Sequence, residues 1–200
     1  LIGEQALMLG AGSTVFFQMA EAGVGLGVAE HSTTLQRPVD RLRTTLTFVF
    51  VMILGTDAER KAITRMINRM HSGVRSPGRY SAYDTELQLW VAATLARNAI
   101  TIREKVWGPL SLEAKNRIYA DAQIFGNSLQ VAPEQWPATI EEFDAYWDAK
   151  IPTFATADPS VQVYCQRLLR ADTKPVGLRW TSSLQGMLDR GNLDPHTRAV

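Results

Sequence analysis

DTELQLWVAATLARNAITIREKVW, residues 84–107, is the stretch that decides the fold. Positions 87, 90, 91, 94, 95 and 99 are spaced as residues on one face of an α-helix are spaced. Asp84 precedes this pattern and is a residue type that caps helix N-termini. The segment therefore predicts a long helix that begins after Asp84 and runs to Trp107.

Helix-start signals recur on both sides of this segment. Pro38 can occupy a first helical turn, and the residues after it predict a helix that runs to Gly55. A cluster of β-branched residues would also suit a strand there, but we prefer a helix because nothing nearby could pair with it. The capping box TDAE at 56–59 opens the next helix, which reaches about residue 74. Other helices are predicted at 2–22, 111–125, 158–171 and 178–190. A second capping box lies at 139–142. A turn plus a short helix is predicted at 23–32, and a loop at 73–83.

These segments together predict an all-α fold. We expect a single domain of about eight helices over residues 1–200, without an internal repeat. A chain of this length can bury a sizeable core of its own.

The overall charge and hydropathy exclude some classes of protein. The chain has 21 basic and 20 acidic residues, so it lacks the basic surplus of a nucleic-acid-binding protein. The longest uninterrupted apolar run, at 48–55, is far shorter than the roughly 20 residues that a transmembrane helix needs. We therefore expect no nucleic-acid partner and no transmembrane span, which leaves open a peripheral contact with a membrane surface.

Cys165 is the single cysteine of the chain. One cysteine rules out an internal disulfide bond and a cysteine-rich zinc site. Its surroundings, VQVYCQRLL at 161–169, are typical of an amphipathic helix, so we expect a core residue. The first residues show no basic region and no clear cleavage site for a signal peptide. These features together predict a cytoplasmic protein.

His71 is the first candidate site residue. It stands near the end of the helix that the first capping box opens, just before the loop GVRSPG at 73–78. A neutral imidazole is a common ligand of metals and of haem iron. From position alone a surface or core histidine is the default interpretation, and a metal or haem ligand is the alternative.

Arg41 and Thr45 form the second candidate. They lie four residues apart in RPVDRLRTTLTF at 37–48, so on a helix they share one face. A guanidinium and a hydroxyl on one face could bind a carboxylate, such as a haem propionate, through hydrogen bonds, or could polarise bound oxygen. From spacing alone we favour a solvated basic face beside Asp40.

Glu21 is the third candidate. It lies in the very apolar segment FFQMAEAGVGLGVAEHS at 16–32, together with Gln18, Glu30 and His31. A carboxylate buried in such surroundings could act as a general base. The alternative is that Glu21 and Glu30 face water on amphipathic helices.

Two other catalytic classes are disfavoured. A ferritin-like di-iron site needs Glu-x-x-His on two helices, and the chain has no such pair. A Ser-His-Asp hydrolase needs a strand to carry its nucleophile and often shows GxSxG, and the sequence offers neither.

The order of several motifs along the chain resembles one known family. These are GEQALMLGAG (3–12), FFQMAEAGVGLGVAEHS (16–32), RPVDRLRTTL (37–46), LGTDAER (54–60), INRMHSGV (67–74), YSAYDTELQLWVAATL (80–95) and ATIEEFDAYW (138–147). Their order and spacing are similar to those of the haem-dependent oxygenases that include the latex-clearing rubber oxygenases and the oxygenase of mycophenolic acid biosynthesis. The resemblance covers about residues 3–150 and is closest to the bacterial branch of mostly uncharacterised members.

The resemblance implies an all-α, globin-like helical bundle around haem b. It implies that His71 is the proximal ligand of the haem iron and that Arg41 and Thr45 lie near the haem. Characterised members cleave carbon–carbon double bonds of isoprenoids with dioxygen, so the expected partners are a small apolar substrate and dioxygen. Glu21 would either replace a structural histidine of the relatives or serve as the base of that reaction. Phe16, Phe17, Phe48 and Phe50 could line an apolar channel, although for any one of them we slightly favour ordinary core.

The sequence departs from the family pattern at two points. Relatives often carry His-Pro where this chain has Glu21-Ala22, and no equivalent of the rubber oxygenases' distal lysine is evident. Two alternatives to an oxygenase therefore stay open. One is a haem-binding protein without turnover, and the other is a helical domain that has lost the cofactor.

Overall fold

The computed structural model describes residues 10–154 and 158–170, and almost all secondary structure in these residues is helical. The prediction of an all-α fold is confirmed. The helices in this part of the chain are α1 Ala11–Ala20, α2 Ala22–His31, α3 Pro38–Leu54, α4 Asp57–His71, α5 Thr85–Trp107, α6 Leu112–Ala122, α7 Ile124–Asn127, α8 Ile140–Lys150 and α9 Pro159–Leu169. Short 3₁₀ turns cover Pro133–Gln135 and Ile151–Thr153.

Helix α5 is the central element of the fold, as its sequence predicts. The Asp84 carboxylate caps it by accepting hydrogen bonds from the backbone N–H groups of Glu86 and Leu87, at 2.9 and 3.4 Å. The helix contacts α1, α6 and α7. Its buried residues are Gln88, Leu89, Trp90, Ala92, Ala93, Thr94, Ala96 and Ile100. Because small alanines make up much of this face, neighbouring helices can approach α5 closely.

Helices α3 and α4 form a pair that carries two of the candidate residues. Pro38 is in the first turn of α3, Gly55 ends the helix, and Thr56 and Glu59 form the predicted capping box of α4. Arg41 lies near the start of α3, and His71 is the last residue of α4. The two helices follow one another in the chain and contact each other.

Arg60 holds this pair together at the turn. Its guanidinium donates hydrogen bonds from Nε to the Met52 carbonyl oxygen at 2.9 Å and from Nη2 to the Ile53 carbonyl oxygen at 3.3 Å. These carbonyl groups belong to the last turn of α3, where backbone acceptors lack helical partners. A side chain of α4 thus caps the C-terminus of α3.

Helix α2 packs closely because of its glycines. A Cβ atom at Gly25 would lie 2.5 Å from the Met19 carbonyl oxygen, and one at Gly27 would lie 3.4 Å from Val74. Helix α2 can therefore rest against the end of α1 and against the segment that follows α4.

The structure corrects three predicted boundaries. Residues 22–31 form one continuous helix rather than a turn plus a short helix, and the break from α1 falls at Glu21, where the backbone is extended. The predicted loop at 73–83 contains a small antiparallel hairpin of β1 Arg75–Ser76 and β2 Tyr80–Ser81. The helix predicted at 111–125 divides at Gln123. The predicted helix at 178–190 lies outside the described residues.

Within residues 10–154 and 158–170, no helix combines the length and the apolar character that crossing a bilayer requires.

Candidate functional site

His71 is the last residue of α4, and its backbone position is tightly fixed. The Asn68 carbonyl oxygen accepts hydrogen bonds from the Ser72 N–H at 3.0 Å and from the Tyr83 hydroxyl at 2.7 Å. The Asn68 side-chain oxygen accepts a further bond from the Gln130 amide at 2.9 Å. The imidazole itself is half-buried, and its Nδ1 is buried without a hydrogen-bond partner in the described residues. The helix end is thus held firmly while the ring remains available.

Two effects lower the pKa of His71. Burial is the larger effect, and the positive charge of Arg41 is the second. Both disfavour the imidazolium cation, so the ring is neutral at neutral pH. Neutral imidazole is the form that ligates metals. The second effect means that Arg41 and His71, which belong to different helices, are near enough to interact electrostatically.

Arg41 is exposed near the start of α3. Even so, partial burial lowers the pKa of its guanidinium. The neighbouring Asp40 carboxylate is taken by Arg37 at 2.6 Å and Arg43 at 3.2 Å. Within the described residues Arg41 therefore has no carboxylate partner.

Thr45 lies one turn after Arg41 on α3, on the predicted shared face. Its hydroxyl donates a hydrogen bond to the Arg41 carbonyl oxygen at 3.0 Å. The hydroxyl proton is thus used inside the helix, and the oxygen lone pairs remain available to accept. Its role beside a cofactor stays a prediction.

Glu21 lies at the junction of α1 and α2, in an ion pair. Its Oε2 is 2.7 Å from Lys150 Nζ, and the side chains of Glu21 and Lys150 are 18% and 23% exposed. No hydrogen bond or ion pair links Glu21 to Arg41 or His71 in the residues that the structure describes. Its role as a base stays a prediction, and the structure adds a lysine partner that the sequence did not indicate.

Tyr164 on α9 is a site residue that the sequence analysis did not single out. Its side chain is 6% exposed, and its hydroxyl is buried without a hydrogen-bond partner in the described residues. It interacts electrostatically with Arg41. Tyr164 stands next to Cys165, which is half-buried against the apolar cluster that contains Tyr164. A tyrosine at an apolar position of a helix is usually a core residue, so no separate signal marked it.

A second polar cluster ties the hairpin to α2. Arg79 donates to a Glu30 carboxylate oxygen at 2.9 Å, the Tyr80 hydroxyl donates to the other oxygen, and His31 Nε2 donates to the Tyr80 oxygen at 3.1 Å. Burial, followed by the bond to Glu30, raises the pKa of Tyr80 to about 12. The side chains of Glu30 and His31 therefore bind the hairpin that follows His71.

The predicted channel phenylalanines have different surroundings. Phe48 packs against Phe125 in the main core, and Phe17 packs against Trp147 with ring centroids 5.4 Å apart. Phe50 is exposed on α3. Their role as a channel lining stays a prediction.

The arrangement of Arg41, His71 and Tyr164 suits one kind of ligand. A neutral imidazole with a buried unpartnered nitrogen fits a metal centre, and an uncompensated guanidinium beside an unpartnered phenol fits an anionic oxygen. A metal cofactor that carries carboxylates would match both. A metal bound by protein side chains alone is not supported, since the described residues contain no group of three or more histidine, cysteine, aspartate or glutamate side chains placed to hold one.

Comparisons with known proteins agree with the resemblance seen in the sequence. A family model described as "ER-bound oxygenase mpaB/B'/Rubber oxygenase, catalytic domain" matches residues 1–200. Two uncharacterized proteins, from Mycobacterium bovis and Mycobacterium tuberculosis, are each 38% identical to the chain over 148 residues. The match covers 70% of this chain and 58% of each relative. No solved structure matches the chain significantly.

Proposed function

The chain belongs to the mpaB/B' and rubber oxygenase catalytic-domain family, and from this we propose that it is a haem b-dependent oxygenase acting on an apolar small molecule of the isoprenoid class. The family is one of oxygenase catalytic domains, and the cofactor and substrate are our proposal. One observation carries it. The buried Nδ1 of His71 has no hydrogen-bond partner in the described residues, and the positive charge of Arg41, on a different helix, acts on the same ring.

The proposed roles follow from the chemistry of each side chain. His71 would ligate the iron as a neutral imidazole, and Arg41 and Thr45 would orient the haem or a polar group beside it. Glu21 would hold or accept a proton during the reaction. The bound haem would supply the activation of dioxygen. The protein would exclude water and position the substrate.

An apolar substrate agrees with the surface of α3. The helix that carries Arg41 also exposes Val39, Leu42 and Phe50, each at 38–43% of its full accessible surface.

In the proposed reaction one carbon–carbon double bond and one dioxygen molecule give two carbonyl groups, so both oxygen atoms end in the products.

The first test is an absorption spectrum of protein reconstituted with haemin. We expect a stoichiometric Soret band in the wild type that shifts or disappears in His71→Ala. His31→Ala is the matched control, since it removes an imidazole that is exposed and bonded to Tyr80, and its band should be unchanged. A wild type without a band, or identical spectra for wild type and His71→Ala, would remove the haem assignment of this residue.

The second test separates turnover from binding. Haem-loaded protein is given squalene, and oxygen uptake is recorded together with aldehyde and ketone products. We expect uptake that depends on both haem and alkene. No uptake by a protein with a normal Soret band would contradict the oxygenase proposal.

A haem-binding protein without turnover is the second candidate. The Glu21–Lys150 ion pair favours it, because a carboxylate held by a lysine at 2.7 Å is already occupied. This candidate predicts the same Soret band, no alkene-dependent oxygen uptake, and no effect of Glu21→Gln on the spectrum.

A further inference from the structure

Tyr164 has a buried hydroxyl that the fold does not use. The phenol ring packs with Met19, Leu35 and Val161 in a second apolar cluster, apart from the main core. The hydroxyl is buried and has no hydrogen-bond partner in the described residues. Burying an unpaired hydroxyl is costly, so native structures rarely retain one without a reason.

The segment that precedes α3 meets the apolar cluster that contains Tyr164. Leu35 contacts the cluster from the segment that leads into α3 and Arg41. Tyr164 and Arg41 interact electrostatically. Arg41 and Tyr164, from different helices, are therefore near enough to interact electrostatically, and the buried Tyr164 hydroxyl has no acceptor among the described side chains.

The local charges point to an anion as the missing partner. Arg37 and Arg43 both pair with Asp40, so the nearest acidic residue on α3 does not neutralise Arg41. A guanidinium without a carboxylate partner is stabilised by a negative charge beside it. A carboxylate has two oxygens and can accept from a guanidinium and from a phenol at once.

We propose that Tyr164 and Arg41 together bind one propionate carboxylate of the haem, which makes Tyr164 a cofactor-binding residue. This inference rests on the proposed function. The Tyr164 O–H donates to one carboxylate oxygen, and the Arg41 guanidinium donates to the carboxylate from α3. Helix α9 is then part of the cofactor site rather than only a cover for α2.

The chain offers a matched control for this residue. Tyr146 on α8 also has a buried hydroxyl without a hydrogen-bond partner in the described residues. The charges that act on it are those of Glu86 and Glu21, not that of Arg41. Tyr146→Phe therefore removes the same atom from the same kind of environment, away from the proposed carboxylate.

The experiment titrates wild type, Tyr164→Phe and Tyr146→Phe with haemin and, separately, with haemin dimethyl ester, whose propionates carry no charge. Binding is followed by the Soret band. We expect Tyr164→Phe to weaken haemin binding by about tenfold or more, the usual effect of losing a hydrogen bond to a charged group. Binding of the dimethyl ester should be the same in all three proteins, and Tyr146→Phe should bind haemin as the wild type does.

The stability of the haem-free protein gives an independent readout. Removing a buried unpaired hydroxyl should leave the thermal midpoint of haem-free Tyr164→Phe equal to or above that of the wild type. A lower midpoint would mean that the hydroxyl has a structural role, and would overturn the inference.

The outcomes separate the inference from the proposed function. If wild type binds haemin and Tyr164→Phe binds it equally well, or loses haemin and dimethyl ester to the same extent, the inference falls and the haem proposal stands. If wild type binds neither ligand, both fall. If haemin binding is unaffected but geranic acid binds the haem-loaded wild type more tightly than it binds Tyr164→Phe, the carboxylate belongs to a substrate and the propionate assignment is overturned.

Discussion

Replacing Arg60 by methionine should lower the free energy of unfolding by about 1–2 kcal/mol, because it removes two hydrogen bonds from a charged donor. The guanidinium donates to the Met52 and Ile53 carbonyl oxygens at 2.9 and 3.3 Å, at the C-terminus of α3. A hydrogen bond from a charged group contributes about 1.5–3 kcal/mol when it is well shielded. The Arg60 side chain is 34% exposed, and the second bond is long, so we place the sum at the lower end. The ion pair with the 88% exposed Asp57 adds little.

The assay is urea unfolding followed by circular dichroism, with Arg65→Met as the control. Arg65 lies on the same helix, is exposed, and should change the free energy of unfolding by no more than about 0.5 kcal/mol when replaced. Methionine keeps an apolar side chain of similar length, so the difference between the variants reports on the lost donors. Equal effects of the two substitutions would refute the capping role of Arg60.

Three further predictions concern helix packing, the Glu21 ion pair and the pH dependence of stability. Gly25→Ala should destabilise the protein by about 1–3 kcal/mol, because the new Cβ would lie 2.5 Å from a backbone oxygen. Gly12→Ala has open space around it and should not destabilise the protein. Equal thermal midpoints for the two variants would contradict this prediction. Lys150→Met should destabilise the protein by about 1–2 kcal/mol, because it leaves the Glu21 carboxylate half-buried and unpaired. The double variant with Glu21→Gln should recover part of this loss. Strictly additive changes in the free energy of unfolding would count against the ion pair. The pKa of His71 in the folded protein lies below its ordinary value, so the unfolded haem-free chain binds one more proton than the folded chain at low pH. The free energy of unfolding should therefore rise with pH up to about 6.5, by at most about 1.4 kcal/mol per pH unit. Urea unfolding of His71→Gln should lack this slope, and an unchanged slope would exclude His71 as its source.

Short-range signals predicted most of the helices correctly. Asp84, Thr56 and Pro159 each mark the start of a helix by a local backbone requirement, and all three do so in the structure. The capping box predicted at 139–142 forms only in part. Thr139 accepts from the Glu142 N–H, but the Glu142 carboxylate accepts from the Ala138 N–H.

Long-range packing accounts for what the pattern missed. In α2 the glycines looked like turn residues, yet contact with α1, α9 and the hairpin stabilises a continuous helix. In α5 the most buried positions include Ala92, Ala93 and Ala96. Alanines add little to a hydrophobic pattern, so the pattern identified the helix but not its most buried face.

The candidate site could be predicted only in part for the same reason. The face shared by Arg41 and Thr45 follows from spacing within one helix. The proximity of Arg41 to His71 depends on how α3 turns back into α4, and that of Tyr164 on where α9 packs. The resemblance to a family indicated the first pair, but no local pattern indicated the tyrosine.

The positions of Arg41, His71 and Tyr164 along the chain give the site an order of assembly. Arg41 and His71 belong to two consecutive helices joined by a short turn, so they can meet after closing a short loop, which costs little entropy. Tyr164 lies much further along the chain, so bringing it to the same site closes a much longer loop at a greater entropic cost. We therefore expect α3 and α4 to pair before α9 packs, and the last donor of the proposed site to be added late.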